Sequence, residues 1–101
     1  MKQTNEANFK ADVLDKDIAI ADFYADWCGP CRMLLPFLEE IQSEMNIDIV
    51  KVNIDDSPDL AAQFEVMSIP TLILFKNGEK VSVNVGAASK ARLIDWIKNH
   101  L

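Results

Sequence analysis

Residues 18–31 read IAIADFYADWCGPC, and this stretch decides the architecture of the chain. Residues 18–25 are almost wholly apolar, which is typical of a short strand buried on both faces. From Cys28 to about Met45, apolar residues recur every three or four positions, which predicts an amphipathic helix. Pro36 lies inside this segment and is expected to kink it. A buried strand that leads directly into a long helix predicts the first half of a strand–helix–strand unit.

The segments on either side of this unit complete an α/β pattern. Asparagine and glycine at 77–78 predict a hairpin between strands at about 71–75 and 80–85. A first helix is expected from a cap at Thr4 or Asn5 to about Leu14, and a β-branched strand is expected over 47–54. A short helix over 59–64 is expected to be capped by the loop 55–58. Ser89 is expected to cap the last helix, whose core face carries Leu93, Ile94, Ile97 and Leu101. The sequence therefore predicts a mixed parallel and antiparallel sheet between two layers of helices.

Length, composition and charge exclude several classes of protein. A chain of 101 residues with 50% hydrophobic residues predicts one globular domain over 1–101. Its net charge of −6 repels phosphate, so neither nucleic acid nor an anionic membrane is expected as a partner. Two cysteines and one histidine cannot form a four-ligand zinc site from Cys and His alone, and no metal is expected. Without an apolar leader or a bilayer-length apolar run, a cytoplasmic location is the expectation.

Cys28 and Cys31 are the only cysteines, and their placement points to redox chemistry. They lie where the buried strand ends and the helix begins, and Pro30 suits the first helical turn. Unpaired N–H groups and the helix dipole favour a thiolate at Cys28. Cys31 lies one turn further along, near enough to form a disulfide and expected to be more shielded. This arrangement suits a two-step exchange in which Cys28 attacks a substrate disulfide and Cys31 then displaces the substrate.

Two other interpretations of the cysteine pair remain open at this point. Both thiols are buried and inert in the first. In the second, the chain supplies two ligands to a metal site shared between subunits.

Several further motifs resemble the thioredoxin family and cover nearly the whole chain. Residues 21–26 and the Trp-Cys-Gly-Pro-Cys sequence at 27–31 resemble the active-site region of the family. VNID at 52–55, IPT at 69–71, FKNG at 75–78 and VGA at 85–87 follow in the family's order. The resemblance implies a thioredoxin fold, with a four- or five-stranded mixed sheet flanked by four helices. The first strand of that fold has only about residues 1–4 available here.

The resemblance also implies an activity, a partner and an oligomeric state. The expected protein is a protein-disulfide reductase that works through a mixed disulfide. No cofactor is expected to be bound, and electrons reach the Cys28–Cys31 disulfide from NADPH or ferredoxin through a separate thioredoxin reductase. Other expected partners are disulfide-containing substrate proteins, and the chain itself is expected to be a monomer.

Further site residues are carried over from the family. Asp22 matches its buried acid, and a carboxyl in an apolar strand is expected to have a raised pKa and to accept the proton of Cys31 through water. Lys51 matches the lysine that pairs with this acid. Pro70 matches the family's cis-proline, which leaves the backbone of Ile69 free to pair with an extended substrate. The remaining docking residues are expected to be Trp27, Gly29, Pro30, Gly86 and Ala87.

Two rival functions follow from the same motif. In the first, the pair is an oxidant or isomerase. Gly-Pro between the cysteines goes with reductants in this family, whereas a histidine there goes with oxidants. In the second rival, the apolar surface around Trp27 makes the chain a redox-sensitive binding module or a subunit of a larger enzyme. Met33, Met45 and Met67 are expected to serve core or loop packing rather than to form a binding stripe, with a place beside the cis-proline loop as the alternative for Met67.

Overall fold

The computed structural model describes all 101 residues and contains five strands and four helical segments. The strands are β1 (Lys2–Thr4), β2 (Ile18–Tyr24), β3 (Asp48–Asn53), β4 (Thr71–Lys76) and β5 (Glu79–Val85). A π-helical segment over Lys10–Leu14 precedes the helices α1 (Gly29–Met45), α2 (Pro58–Gln63) and α3 (Lys90–Lys98). No helix is long and apolar enough to cross a membrane.

One mixed sheet joins all five strands in the order β1-β3-β2-β4-β5. β3 is parallel to both β1 and β2, whereas β4 is antiparallel to β2 and to β5. The predicted parallel strand–helix–strand unit and the antiparallel hairpin are therefore confirmed. β2 lies at the centre, which explains why its sequence is apolar on both faces.

Each face of the sheet carries its own apolar core. One core packs the π-helical segment and α2 against the sheet through residues that include Phe9, Val13, Phe23, Leu60 and Phe75. The other packs α1 and α3 against the opposite face through Leu34, Leu38, Ile41, Leu93 and Ile97, among others. The three-layer arrangement follows from the alternation of side chains along the central strands.

The β4–β5 hairpin forms at the predicted Asn-Gly pair. Asn77 and Gly78 both have positive φ, at 52° and 82°. Such angles match the right-handed twist of a two-residue hairpin. An added Cβ at Gly78 would lie 3.0 Å from the carbonyl oxygen of Leu14, so glycine also allows a close approach of this turn to the π-helical segment.

Two local expectations differ from the structure, and two others are met. The first helix begins at Lys10 rather than near Thr4, because Thr4 pairs with Val52 as part of β1. Leu101 lies beyond the end of α3 and is exposed rather than in the core. Ser57 lies in the loop expected to cap α2 and takes the N-cap position, although its side chain forms no cap bond. The short first strand, for which few residues are available, is nevertheless present.

Candidate active site

Cys28 and Cys31 form a disulfide between the end of β2 and the start of α1. The amide of Cys28 donates to the carbonyl of Ala25 at 3.1 Å, which turns the chain out of the strand. Cys28 has an extended backbone and takes the N-cap position of α1, and Pro30 occupies the first turn. The local sequence thus positions the disulfide, because a cap residue and an early proline are both favoured there.

The sulfur of Cys28 acts as the side-chain cap of α1. The amide of Cys31 donates to Cys28 Sγ at 3.2 Å. An unpaired amide at a helix start is a suitable partner for a negative charge on this sulfur when the disulfide is opened. The expected difference in shielding is not seen in the disulfide form, since Cys28 and Cys31 are 5% and 4% exposed. Position on the helix, rather than burial, distinguishes the two thiols.

Asp22 lies in the middle of the central strand and is 2% exposed. Its Oδ1 atom has no hydrogen-bond partner. Burial raises the pKa of this carboxyl to about 7, while the positive charge of Lys51 opposes the rise. The sequence-based expectation of a raised pKa is therefore consistent with the environment of the group.

A cleft of about 310 Å³ connects this carboxyl with the disulfide. Asp22 and Cys31 both line it, together with Tyr24, Ala25, Asp26, Arg32, Leu35 and Lys51. The volume accommodates several water molecules, since one water occupies about 30 Å³ in the liquid. A proton can therefore move between the buried acid and the second cysteine through water.

Lys51 faces Asp22 across neighbouring strands but forms no ion pair with it. The two residues are register partners on β3 and β2. The ammonium group of Lys51 instead lies 5.2 Å from the centre of the Tyr24 ring, as a cation–π contact. Its influence on the acid is electrostatic and acts through the cleft, not through a direct bond.

The loop before β4 faces the cysteines and contains a cis peptide bond between Ile69 and Pro70, as predicted. The carbonyl of Pro70 accepts from the amide of Gly86 at 2.8 Å. Neither backbone polar group of Ile69 takes part in the chain's own hydrogen bonds. Ile69 packs against the cluster formed by Ala25, Cys28 and Cys31. Its backbone is thus available next to the disulfide for another extended segment.

Trp27 is held by an acid that the sequence analysis did not assign to the site. Its side chain is 67% exposed, and its indole N–H donates to Asp55 Oδ2 at 2.9 Å. Asn53 in turn accepts from the amides of Asp55 and Asp56, which fixes the loop that carries this carboxylate. Trp27 and Asp55 are 28 positions apart, so no local pattern reveals the contact.

Arg32 supports the same segment from the other side. Its guanidinium donates to the carbonyl of Asp26 at 2.7 Å, just before Trp27. The positive charge of Arg32 is therefore anchored to the active-site loop.

Two methionine side chains are exposed, contrary to their expected role in packing. Met33 is 76% exposed and Met67 is 93% exposed. Phe37, which the periodicity of α1 places with its core residues, is 36% exposed.

The other expected docking residues differ in exposure: Pro30 and Ala87 are exposed, Gly29, Ile69 and Gly86 are half-buried, and Pro70 is buried. No group of three or more His, Cys, Asp or Glu side chains is placed to hold a metal ion.

A redox-active pair at a helix start, opposite a cis-proline loop and connected to a buried acid, defines the class of thiol–disulfide oxidoreductases. The thioredoxin family model matches residues 1–99 of the chain. The chain belongs to the thioredoxin family.

Relatives and solved structures agree with this assignment. The chain is similar to thioredoxin 1 of Nostoc, at 47% identity over 98% of this chain and 95% of that protein. It is 47% identical to the thioredoxin of Haemophilus influenzae, over 96% of this chain and 94% of the other. A mutant thioredoxin from Halobacterium salinarum superposes with a TM-score of 0.92 at 35% identity, over 99% of this chain and 88% of that chain. The chain is therefore a protein-disulfide reductase with a thioredoxin fold.

Replacing Asp22 by asparagine is expected to stabilise the oxidised protein at alkaline pH. Because burial raises the carboxyl pKa, the folded chain keeps a proton that the unfolded chain releases, and stability is lost as pH rises from about 4 to about 7. A rise from 3.8 to about 7 corresponds to about 4 kcal/mol. Urea unfolding should show Asp22→Asn to be about 2–4 kcal/mol more stable at pH 8.5, with the gain vanishing near pH 4.

Asp12→Asn is a control for which the free energy of unfolding should change in the opposite direction. The hydrogen bond from Lys2 lowers the pKa of Asp12, so this carboxylate stabilises the fold above its unfolded pKa and the contribution is lost in acid. The control variant should therefore be less stable than the wild type at neutral pH. A gain for Asp22→Asn that is constant between pH 4 and 8.5 would contradict the raised pKa.

Proposed function

We propose that this thioredoxin is a monomeric, single-domain reductant of disulfides in substrate proteins, with residues 1–101 acting as one unit. The thiolate of Cys28 attacks one sulfur of the substrate disulfide, forming a mixed disulfide and expelling the other substrate sulfur as a thiolate. The thiolate of Cys31 then attacks Cys28 Sγ, which releases the second substrate sulfur. The pair ends as a disulfide and the substrate as a dithiol, so two electrons have been transferred.

The hydrogen bond from the Cys31 amide to Cys28 Sγ is the observation that best supports Cys28 as the nucleophile. The same N–H and the start of a 17-residue helix stabilise a thiolate on that sulfur. No comparable donor is directed at Cys31 Sγ. Cys31 is accordingly the resolving cysteine.

Asp22 accepts the proton of Cys31 during release of the substrate. Three features support this role: the acid lines the same cleft as Cys31, one of its oxygens has no partner, and its pKa is about 7. A general base is most effective when its pKa lies near the working pH. Lys51 favours the ionised form of this acid by its positive charge, without contacting it.

Substrate proteins dock on the residues around the disulfide, and the free backbone groups of Ile69 pair with an extended substrate segment. Trp27, which precedes Cys28 and is oriented by Asp55, offers an exposed indole as one of the docking contacts. The remaining contacts come from three places near the disulfide. Gly29 and Pro30 lie between the cysteines, Pro70 follows Ile69, and Gly86 and Ala87 follow β5.

A separate thioredoxin reductase recharges the disulfide with electrons from NADPH or ferredoxin, and no cofactor is bound to the chain itself. We place this cycle in the cytoplasm, because a dithiol reductant requires a compartment in which thiols stay reduced. The family to which the chain belongs supports the reductase partner in general terms.

Replacing each cysteine in turn should separate the two steps. Cys28→Ser should abolish dithiothreitol-driven reduction of insulin, because no nucleophile remains at the helix start. Cys31→Ser should form a mixed disulfide with the substrate that persists on a non-reducing gel, because no thiol resolves it. Wild-type rates in Cys28→Ser, or a mixed disulfide that accumulates only in Cys28→Ser, would contradict the assigned roles.

Replacing Asp22 by asparagine should slow the release step rather than the attack. Loss of a general base should lower the single-turnover release rate of the Cys28 mixed disulfide about 100-fold at pH 7. In the wild type, release should accelerate as pH rises through about 7, where the carboxyl ionises. In the variant that inflection should disappear. Asp26→Asn, an exposed acid lining the same cleft, is the matched control and should retain the wild-type profile.

The comparison of pH profiles decides the role of Asp22. A variant that keeps both the wild-type rate and the inflection near pH 7 would show that another group accepts the proton.

A further inference from the structure

Two exposed apolar side chains on α1 have no function in the core. Met33 is 76% exposed and Phe37 is 36% exposed. They are four residues apart, so they lie on the same face of the helix. Together with Pro30, Leu34 and residues 87–89, they line a groove of about 390 Å³ between the start of α1 and the segment before α3.

This groove begins at the redox site. Pro30 lies between the two cysteines and also lines the groove. From Pro30 to Phe37 the helix rises about 10 Å, at 1.5 Å per residue. An extended peptide spans about the same distance in three residues. A substrate whose sulfur is joined to Cys28 therefore has neighbouring side chains within reach of the groove.

We infer that this groove binds an apolar side chain of the substrate protein, carried by the segment that flanks the attacked cysteine. The inference deepens the proposed function, on which it rests, by assigning a preference among protein disulfides. Cysteines with a large aliphatic or aromatic residue two or three positions away are the preferred substrates.

The chemistry of the lining favours an apolar occupant. Five of the seven lining residues are hydrophobic. The hydroxyl of Ser89, which accepts from the amide of Arg92, is the only polar side-chain group of the lining. Lys90, which follows it, is paired with Glu40 at 3.5 Å and Glu44 at 2.8 Å. The charge of Lys90, the residue after Ser89, is therefore balanced by two carboxylates.

The flexibility of methionine suits a site that serves several substrates. Met33 is unbranched and has a polarizable thioether, so it adapts to side chains of different shape. The volume of the groove lies near the lower end of those found for small-molecule sites, which fits one large side chain rather than a whole element.

The inference is tested with two synthetic peptide disulfides that differ only in leucine or serine three residues after the cysteine. Dithiothreitol recharges the protein, and kcat and KM are measured for each peptide. The wild type should prefer the leucine peptide about tenfold in kcat/KM, mainly through KM, as for the loss of a group from an apolar pocket. The double variant Met33→Ser, Phe37→Ser should reduce both peptides equally well, at the rate of the wild type with the serine peptide.

Three controls separate the groove from other effects. Val81→Ser, Val83→Ser removes exposed apolar side chains from β5, at 42% and 43% exposure, and should keep the tenfold preference. Met33→Leu, Phe37→Leu keeps the groove apolar and should keep the preference as well. Hydroxyethyl disulfide is too small to reach the groove, so all variants should reduce it at the wild-type rate with an unchanged reduction potential.

Each outcome bears on a single claim. Equal rates for the two peptides with the wild type, or a preference that survives in the serine double variant, would overturn the groove while leaving the proposed function intact. A slower reaction of that variant with hydroxyethyl disulfide would locate the defect in the cysteines and also overturn the groove. Failure of the wild type to reduce either peptide would instead refute the proposed function.

Discussion

The hydrogen bond from the amide of Cys31 to Cys28 Sγ is the interaction on which the site depends. It makes the first cysteine the N-cap of α1, so the start of the helix and the position of the reactive sulfur are fixed by the same contact. The helix in turn is held by Leu34, Leu38 and Ile41, which are buried against the sheet. The sulfur is thereby presented at the edge of a rigid core, with helix N–H groups directed at it.

The central strand provides the second constraint. β2 is buried on both faces, and the only acid within it, Asp22, has a raised pKa because burial disfavours its charged form. A buried carboxyl of this kind lowers the free energy of unfolding at neutral pH. The proposed transfer of a proton from Cys31 gives a functional reason for an acid at this position. The cleft to Cys31 places the acid where the proposed reaction would use its proton. The fold thus brings a sulfur at a helix start and a buried acid to one site.

Much of this arrangement is predictable from the sequence because it depends on local pattern. The strand, the cysteine pair and the helix are contiguous in the sequence, so their order is directly readable. A single carboxyl in an apolar strand predicts a raised pKa for that group. The contact between Trp27 and Asp55 joins residues far apart in sequence, so no periodicity reveals it. Phe37 falls in the apolar period of α1 but is exposed, because periodicity identifies a helix face and not how far α3 covers it. Lys51 was placed opposite Asp22 correctly, yet its side chain turns to Tyr24, a choice that strand register does not determine.

The reduction potential of the Cys28–Cys31 pair tests most directly whether this thioredoxin acts as a reductant. It is measured by equilibration in defined thiol–disulfide buffers, with Trp27 fluorescence as the signal. For this two-electron couple about 30 mV corresponds to a tenfold change in the equilibrium constant for reduction of the disulfide. The measurement therefore distinguishes a reductant from an oxidant or isomerase. A value at or below the cytosolic glutathione poise of about −220 to −260 mV is the result we expect. A value clearly above about −200 mV would make the pair an oxidant or isomerase and would contradict the account.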